Sequence, residues 1–385
     1  MSVIVPLLLG AACAATAGQT PPETDLPASY LLRVERALEL CRSDIAAMTP
    51  LADAAAARLA GGGKLWVTGQ PSMISELSGR AGGFMMIRPL REDPPKPEDV
   101  VLYVPEANVA VPSNVQGSQA LVIAFGGEDP ATDAFPRLSN HANQAGISPT
   151  LANAIPGWVF TGEFFAALTR LGKTPVMYES IGLYGGAARI RQFQNGEIAY
   201  HDDLAVAPIA PGVLGNRFVD AVAAMLRRIE AEDRPRLEQA GAWAREARGQ
   251  GKQLFMYSMG HLFPAEIEKT AIGRVFQSAV WNAGFRRHTP PNHSYAPGDL
   301  AVHIGYQHPP TLLLQRATSA GARVVYAALY AHRDYPPGTG ALWLDPMWDW
   351  TDACVTVEGY DIPILPGSGI VNGAMAWEIY RLTCQ

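Results

Sequence analysis

Apolar positions along this chain recur with two periods, one helical and one extended, and their succession is run through twice. Between residues 30 and 59, Leu31, Val34, Leu38, Leu40, Ile45 and Leu51 fall at helical spacing. Pro50 interrupts that run; it lacks a backbone donor and clashes with the preceding turn, which predicts two helices. Gly61-Gly62-Gly63 ends the helical pattern, LWVT (65–68) reads as a short buried strand, and SMISELSGR (72–80) as a helix with Ser72 as N-cap. The second passage has helical patterns at 213–231 and 235–248 broken at Pro235, a glycine stop at 249–251 and an apolar strand LFMYS (254–258). A helix over 263–275 follows, with Pro264 in its first turn, then a strand at 300–306, a helix at 310–320 and a strand at 322–329. Strands alternating with helices at this spacing predict βαβ units, hence parallel sheets with helices on both faces.

Three landmarks mark the repeat in the same order. PIAPGVLGN (208–216) matches PILPGSGIVN (363–372), Gly63-Lys64 matches Gly251-Lys252, and Asp99 opening DVVLYV matches Asp299 opening DLAVHI. This internal duplication predicts two α/β halves, residues 29–212 and 213–385. The interval from Asp99 to Pro208 is much longer than that from Asp299 to Pro363, so the first half carries an insertion at about 129–194. Its helix-like GEFFAALTRLG (162–172) is expected to form a lid or an interface element.

Composition narrows the partners. A chain of 385 residues, 48% hydrophobic, is long enough for two cores. A net charge of -6 leaves no basic field for nucleic acid, and beyond residue 20 no apolar run is long enough to span a bilayer. Residues 1–17 have an apolar stretch ending in Ala15-Thr16-Ala17, the small-x-small form of an export-signal cleavage site, so a periplasmic or secreted location is expected. Pro21, Pro22 and Pro27 then make residues 18–28 a stiff tether. The four cysteines are too few for a disulfide scaffold; Cys354 and Cys384 leave open a bridge or two buried thiols.

GGGKLWVTGQPSMISELSGRAGGF (61–84), with its Arg80-Ala81-Gly82-Gly83, resembles the first βα unit of the sugar isomerase (SIS) domain family. GQGKQLFMYSMGHLFPAEIEK (249–269) and PGDLAVHIGYQ (297–307) resemble the same family in the second half. The resemblance spans most of residues 30–385 and implies two tandem three-layer α/β/α halves, each a flavodoxin-like doubly wound sheet. It also implies a phosphosugar or related sugar derivative as ligand, isomerisation as an activity, and a homodimer as one possible assembly. Phosphate-binding members have a Ser/Thr-rich loop after the strand that here begins at Asp99 or Asp299. PEANVAVPSN (105–114) and GYQHPPT (305–311) are not such loops, and Pro309-Pro310 removes two donors, so an unphosphorylated sugar fits better.

In doubly wound sheets ligands bind beyond the carboxyl ends of the strands, where small residues let backbone N–H groups approach. Thr68, Gly69 and Ser72, with Ser258, Gly260 and His261, fall in those turns; Arg80 and Tyr306 complete the expected ligand-binding set. The same residues serve equally to make a tight turn and cap a helix. Moving a proton between adjacent sugar carbons needs a base, for which His261, Glu266, His308 and Glu76 are the candidates. Their ordinary alternatives are a backbone hydrogen bond or an ion pair at helical spacing. Loss of the Ser/Thr loop favours a sugar-binding module without catalysis. A weaker alternative, a zinc-dependent hydrolase or isomerase, would draw on His288, His293, His303 and His332 with Asp334 or Asp345, none at a recognised zinc spacing; no cofactor is expected. Trp343, Trp348 and Trp350 interleaved with Asp345, Asp349 and Asp352 read as a carbohydrate surface or as aromatics packed under the last strand.

Overall fold

The helical run after residue 29 is one helix, not two. In the computed structural model, which describes residues 28–106, 109–126, 133–181, 185–258, 261–280, 294–305, 311–329 and 340–385, α1 (Tyr30–Ala60) continues through Pro50. An interior proline costs about 3 kcal/mol in an exposed helix, but α1 buries a full apolar stripe, Leu31 to Leu59, against its neighbours. The chain then runs β1 (Leu65–Gly69), α2 (Pro71–Leu77), β2 (Ile87–Pro89), β3 (Val100–Val104), α3 (Ser113–Gln116), β4 (Leu121–Phe125), β5 (Arg137–Leu138), α4 (Ala142–Ala145) and α5 (Pro149–Arg170). A hairpin of β6 (Thr174–Pro175) and β7 (Tyr200–His201) encloses α6 (Gly186–Gln194).

The second half opens with α7 (Val213–Arg228) and α8 (Arg234–Gly249), which are joined by a π-helical turn at Ile229–Asp233 just ahead of Pro235. Widening of the turn before a proline removes the need for the hydrogen bond that its nitrogen cannot make. Next come β8 (Leu254–Ser258), α9 (Phe263–Glu268), β9 (Gln277–Val280), β10 (Leu300–Ile304), α10 (Thr311–Ser319), β11 (Arg323–Ala327) and β12 (Leu342–Leu344). An antiparallel pair, β13 (Ala353–Val355) with β14 (Ile364–Pro366), leads into α11 (Ser368–Cys384). The helix expected over 263–275 stops at Glu268, and Ile272–Arg274 is a separate 3-10 turn.

Both sheets are five-stranded and parallel, in the orders β2-β1-β3-β4-β5 and β9-β8-β10-β11-β12. Written by position within each half, the two orders are identical, the 2-1-3-4-5 arrangement of a doubly wound fold. The central strands β3 and β10 are buried along their whole length, as parallel strands covered on both faces are. One face of each sheet shares a single core with α1, α5, α7, α8 and α11, while the other faces have small cores of their own.

The duplicated aspartates do the same work in each half. Asp99 accepts the N–H groups of Lys64 (2.8 Å) and Lys96 (3.0 Å); Asp299 accepts those of Gln253 (2.9 Å) and Ala296 (2.8 Å). Each carboxylate pins the start of its half's first strand to the start of the third. Lys64 is therefore equivalent to Gln253, one residue out of step with the Gly-Lys match. Gly62 and Gly251 hold the equivalent left-handed positions, at φ 96° and 66°.

The expected insertion is not a lid. α5 is buried from Leu151 to Thr169 and packs against α1 and α7, as a helix apolar on all sides must. It buries Glu163, whose carboxylate accepts the N–H groups of Gly212 (2.7 Å) and Gly215 (2.9 Å) and so caps α7. In the second half, buried Glu378 of α11 accepts the N–H of Tyr30 (2.7 Å) and caps α1. Each half's buried helix thus caps the helix that opens the other. A carboxylate at a helix N-terminus complements the dipole and the unpaired N–H groups. Replacing Glu163 with Ala is expected to cost about 3 kcal/mol, as for loss of buried charge-assisted hydrogen bonds. The check is the urea midpoint, set against Glu98→Ala, an exposed-surface change expected to cost under about 0.5 kcal/mol.

Candidate functional site

The Arg-Ala-Gly-Gly segment lies where the two halves meet. α2 starts two residues earlier than a Ser72 cap would place it, with Gln70 in the cap position and Pro71 at its first turn. Ser72 is therefore inside the helix, buried, its hydroxyl without a hydrogen-bond partner. Gly69 has φ 99°, and a Cβ there would meet the Val104 carbonyl oxygen at 1.9 Å. Its lack of a side chain serves the close approach of β1 to β3.

Past α2 the chain buries a charged cluster. Arg80, 1% exposed, donates to Glu76 in its own half and to Asp352 (3.1 Å) and Ser368 in the other. Glu76, with no exposure, also accepts the indole N–H of Trp158 (3.0 Å) and the backbone N–H of Leu262 (3.2 Å). Asp352 in turn accepts the N–H of Ser368 at the head of α11 (3.2 Å). Burial alone would raise the Glu76 pKa; the Arg80 charge, His261 and these hydrogen bonds overcome it and hold the carboxyl below its usual range. A Cβ at Gly369 would fall 2.6 Å from Glu76 Oε1, so glycine is needed there for α11 to approach. The cluster ties the halves together and is closed to solvent.

His261 belongs to this cluster. It takes a left-handed backbone (φ 55°), and its ring Nδ1 is 2.9 Å from the Ser75 carbonyl of α2, which assigns Nδ1 as the protonated nitrogen. Burial, then the Arg80 charge, lowers its pKa against the opposing pull of Glu76, so the ring is neutral at pH 7. Glu266 points elsewhere. Its Oε1 accepts the indole N–H of Trp377, so His261 and Glu266 engage different neighbours. His308, Gly260 and Tyr306 lie outside the described residues, as do His288, His293, His332, Asp334 and residues 1–27. His303 is buried within β10. Among the described residues, no three His, Cys, Asp or Glu side chains are grouped to hold a metal ion.

The tryptophan-rich segment is packing rather than a carbohydrate surface. Trp348 is buried and donates to Asn372 (3.2 Å); Trp343 donates to the Ala328 carbonyl (2.9 Å) and lies under Arg236; Trp350 packs on the core. Asp345 and Asp349 accept the N–H groups of Met347 and Trp350. Cys354 and Cys384 are free thiols, not a bridge.

An open, polar cavity of about 880 Å³ lies at the carboxyl edge of the first sheet. Thr68 at the end of β1, Leu90–Asp93 after β2 and Pro112–Asn114 at the head of α3 line it. The Asn114 amide donates to the carbonyls of Arg91 (2.9 Å) and Glu92 (3.3 Å), fixing the loop that forms one wall. Beside it the rim is stiffened by a chain of amides that sequence reasoning missed. Gln70 donates to Thr150 (2.8 Å) and accepts from Asn153 (3.3 Å), which accepts from Asn140 (2.7 Å). Only a clustering of polar amides at strand ends would have marked them.

No protein-family model and no curated protein sequence matches the chain. Among solved structures, the C-terminal domain of glucosamine-fructose-6-phosphate aminotransferase from Francisella tularensis superposes with a TM-score of 0.51 at 7% identity, covering 92% of this chain and 96% of that one. A putative sugar binding protein from Salmonella typhimurium LT2 gives a TM-score of 0.47 at 10% identity, over 92% and 97%. The first likeness shows the fold: two tandem SIS-like α/β halves.

Two outcomes follow from the buried carboxylates. Arg80→Met leaves Glu76 and Asp352 without their cation and is expected to destabilise by about 3–5 kcal/mol, with partial recovery in the double variant Arg80→Met/Glu76→Gln, read from urea midpoints. Burial raises the Glu266 pKa from 4.5 to about 7, with hydrogen bonds from Ser148 and Trp377 opposing. The folded state therefore binds this proton more tightly than the unfolded state, and stability falls as pH rises from about 4.5 through 7. Glu266→Gln removes that dependence; at pH 8 it is expected to be more stable than wild type by roughly 3 kcal/mol, and at pH 4 equal to it, by denaturant titration at each pH.

Proposed function

We propose that this protein binds an uncharged sugar or sugar derivative at the carboxyl edge of its first sheet, without isomerising it. The observation that carries this reading is the 880 Å³ cavity at that edge, the place where doubly wound sheets bind ligands. Its polar lining is the hydroxyl of Thr68, the side chains of Ser113 and Asn114, and one cation, Arg91, against two carboxylates, Glu92 and Asp93. Hydroxyls, an amide and carboxylates complement sugar hydroxyl groups. A doubly charged phosphate would meet an excess of negative charge. The solved relative from Francisella tularensis has glucosamine-fructose-6-phosphate in its name, which supports a sugar derivative as the ligand class. The burial of Glu76 and Glu266, both with no exposed surface and neither lining the cavity, supports binding without isomerisation.

Thermal-shift and calorimetric titration with glucose, N-acetylglucosamine and their 6-phosphates tests the reading. A neutral sugar should stabilise the protein saturably and its phosphate should not. Asn114→Ala, which releases the Arg91–Glu92 wall, should weaken the binding about tenfold, the loss of roughly one polar interaction. Preference for the phosphates would overturn the choice of ligand. Incorporation of solvent deuterium at the carbon next to the sugar carbonyl would overturn the absence of catalysis.

A further inference from the structure

Another cavity, of about 310 Å³, lies on the junction of the two halves. Gly82, Tyr178–Ser180 after β6, Thr351, and Asp361–Pro363 of the loop between β13 and β14 line it, and none of them lines the cavity at the first sheet's edge. Backbone pairing fixes these walls. Gly82 donates its N–H to the Tyr178 carbonyl (2.7 Å) and accepts the N–H of Leu365 (2.9 Å). The Tyr360 hydroxyl accepts from the Met177 N–H (2.9 Å) and donates to the Pro175 carbonyl (2.8 Å), which pins the β13–β14 loop to the chain after β6. A Cβ at Gly82 would fall 2.9 Å from the Ala353 Cβ, so the turn packs directly on β13.

The carboxylates of this cavity are not balanced within the chain. Glu179 lines it with only 10% of its side chain exposed, yet among the described residues it accepts no hydrogen bond. Its one ion pair, to Arg189 Nε of α6, spans 3.6 Å, and the same guanidinium bonds Asp361 Oδ2 and acts on Tyr360. Asp361 Oδ1 takes no part in that bond. Two lining carboxylates therefore share one arginine. Burial raises the Glu179 pKa; Arg189 opposes the rise and the Asp361 charge adds to it. Of the neighbouring charges, Asp352 is met by Arg80, and Arg88 acts on Tyr178. Ser180 and Thr351 add hydroxyls; that of Thr351 donates to the Ala353 carbonyl (3.0 Å) and can still accept. A carboxylate so enclosed and short of N–H donors is costly, and a cationic donor relieves that cost.

We propose that this cavity is a second ligand site, taking a small primary ammonium compound. The three N–H donors of an ammonium group match Glu179, Asp361 Oδ1 and a hydroxyl of Ser180 or Thr351, while its charge offsets the carboxylate that the shared arginine leaves unbalanced. Tyr178, Ile362 and Pro363 receive the rest of the molecule. The volume stands at the small end of ligand pockets, which run from roughly 300 to 1,000 Å³. The site shares no residue with the sugar-binding reading, so either can fail alone.

Calorimetric titration of the full chain tests it, with benzylamine and ethanolamine as probes and benzyl alcohol, benzoate and tetramethylammonium as counterparts. Saturable binding of at least one of the two amines is expected. Benzyl alcohol lacks the charge and tetramethylammonium lacks the N–H donors; each should bind at least about tenfold more weakly, and benzoate not at all. Glu179→Gln and Asp361→Asn should each weaken amine binding about tenfold or more. Glu98→Gln makes the same charge change on an exposed carboxylate outside the cavity and should leave binding as in wild type. Asp361, at the exposed mouth, keeps the test open should Glu179→Gln fail to fold. Absence of saturable binding of either amine, tetramethylammonium binding as tightly as the amines, wild-type affinity in the folded cavity variants, or an equal loss in Glu98→Gln would each overturn the proposal.

Discussion

A carboxylate can be buried only where N–H groups or cations replace the water it gives up, and among the described residues four glutamates are completely buried. That constraint organises the molecule. Glu163 and Glu378 lie on the two most buried helices and take their hydrogen bonds from the first turns of α7 and α1, so neither half is complete without a helix of the other. Glu76 is met by Arg80, and Arg80 by Asp352 and Ser368 across the junction. Relative placement of the two sheets rests on these few contacts together with the common helical core. A hydrophobic core fixes how much surface is covered; the carboxylates fix which helix ends meet.

Periodic features of the fold were legible in the amino-acid pattern, and features depending on what a residue meets across space were not. The alternation of strand and helix and the doubly wound class follow from spacing, and the matched 2-1-3-4-5 strand orders agree with them. Of the repeat's landmarks the aspartates correspond, whereas PIAPGVLGN heads α7 and PILPGSGIVN heads α11, which are not equivalent helices. Asp99 and Asp299 could be paired because each precedes an apolar strand, though their common role as backbone clamps needed coordinates. Pro50 misled for a physical reason: its local penalty is real, but burial of α1 on both sides of it outweighs the loss. α5 misled because its sequence reads as added chain, whereas it is the counterpart of α11 and the central helix of its half. A glutamate amid the apolar run GEFFAAL, echoed by one in AMAWEIYRL, was the available sign of a buried cap.

The candidate site was read less well than the fold, and the reason is chemical. The residues of the strand–turn–helix segment after β1 are those a sugar site would use, but here several serve the junction. Gly69 admits β3, Glu76 and Arg80 neutralise each other, and His261 turns its ring to α2. Thr68 alone of that set lines the open cavity at the sheet edge, whose other walls come from segments after β2 and before α3. Such walls have no periodicity and little signature, because loop positions are set by the elements they leave.

A duplicated fold makes an internal control. When two copies share strand order, aspartate clamp, capping glutamate and tryptophan–glutamate contact, a difference at one equivalent position stands against a fixed background. The arginine that balances Glu76 has its counterpart in Thr270 beside Glu266, and this change removes a positive charge from a site that still buries an acid. Leaving that acid without a cation destabilises the folded state above neutral pH, where packing alone would favour a neutral residue of the same shape. In the first half the charge is balanced within the chain and the structure is closed around it. In the second half the balance is left to a proton on Glu266.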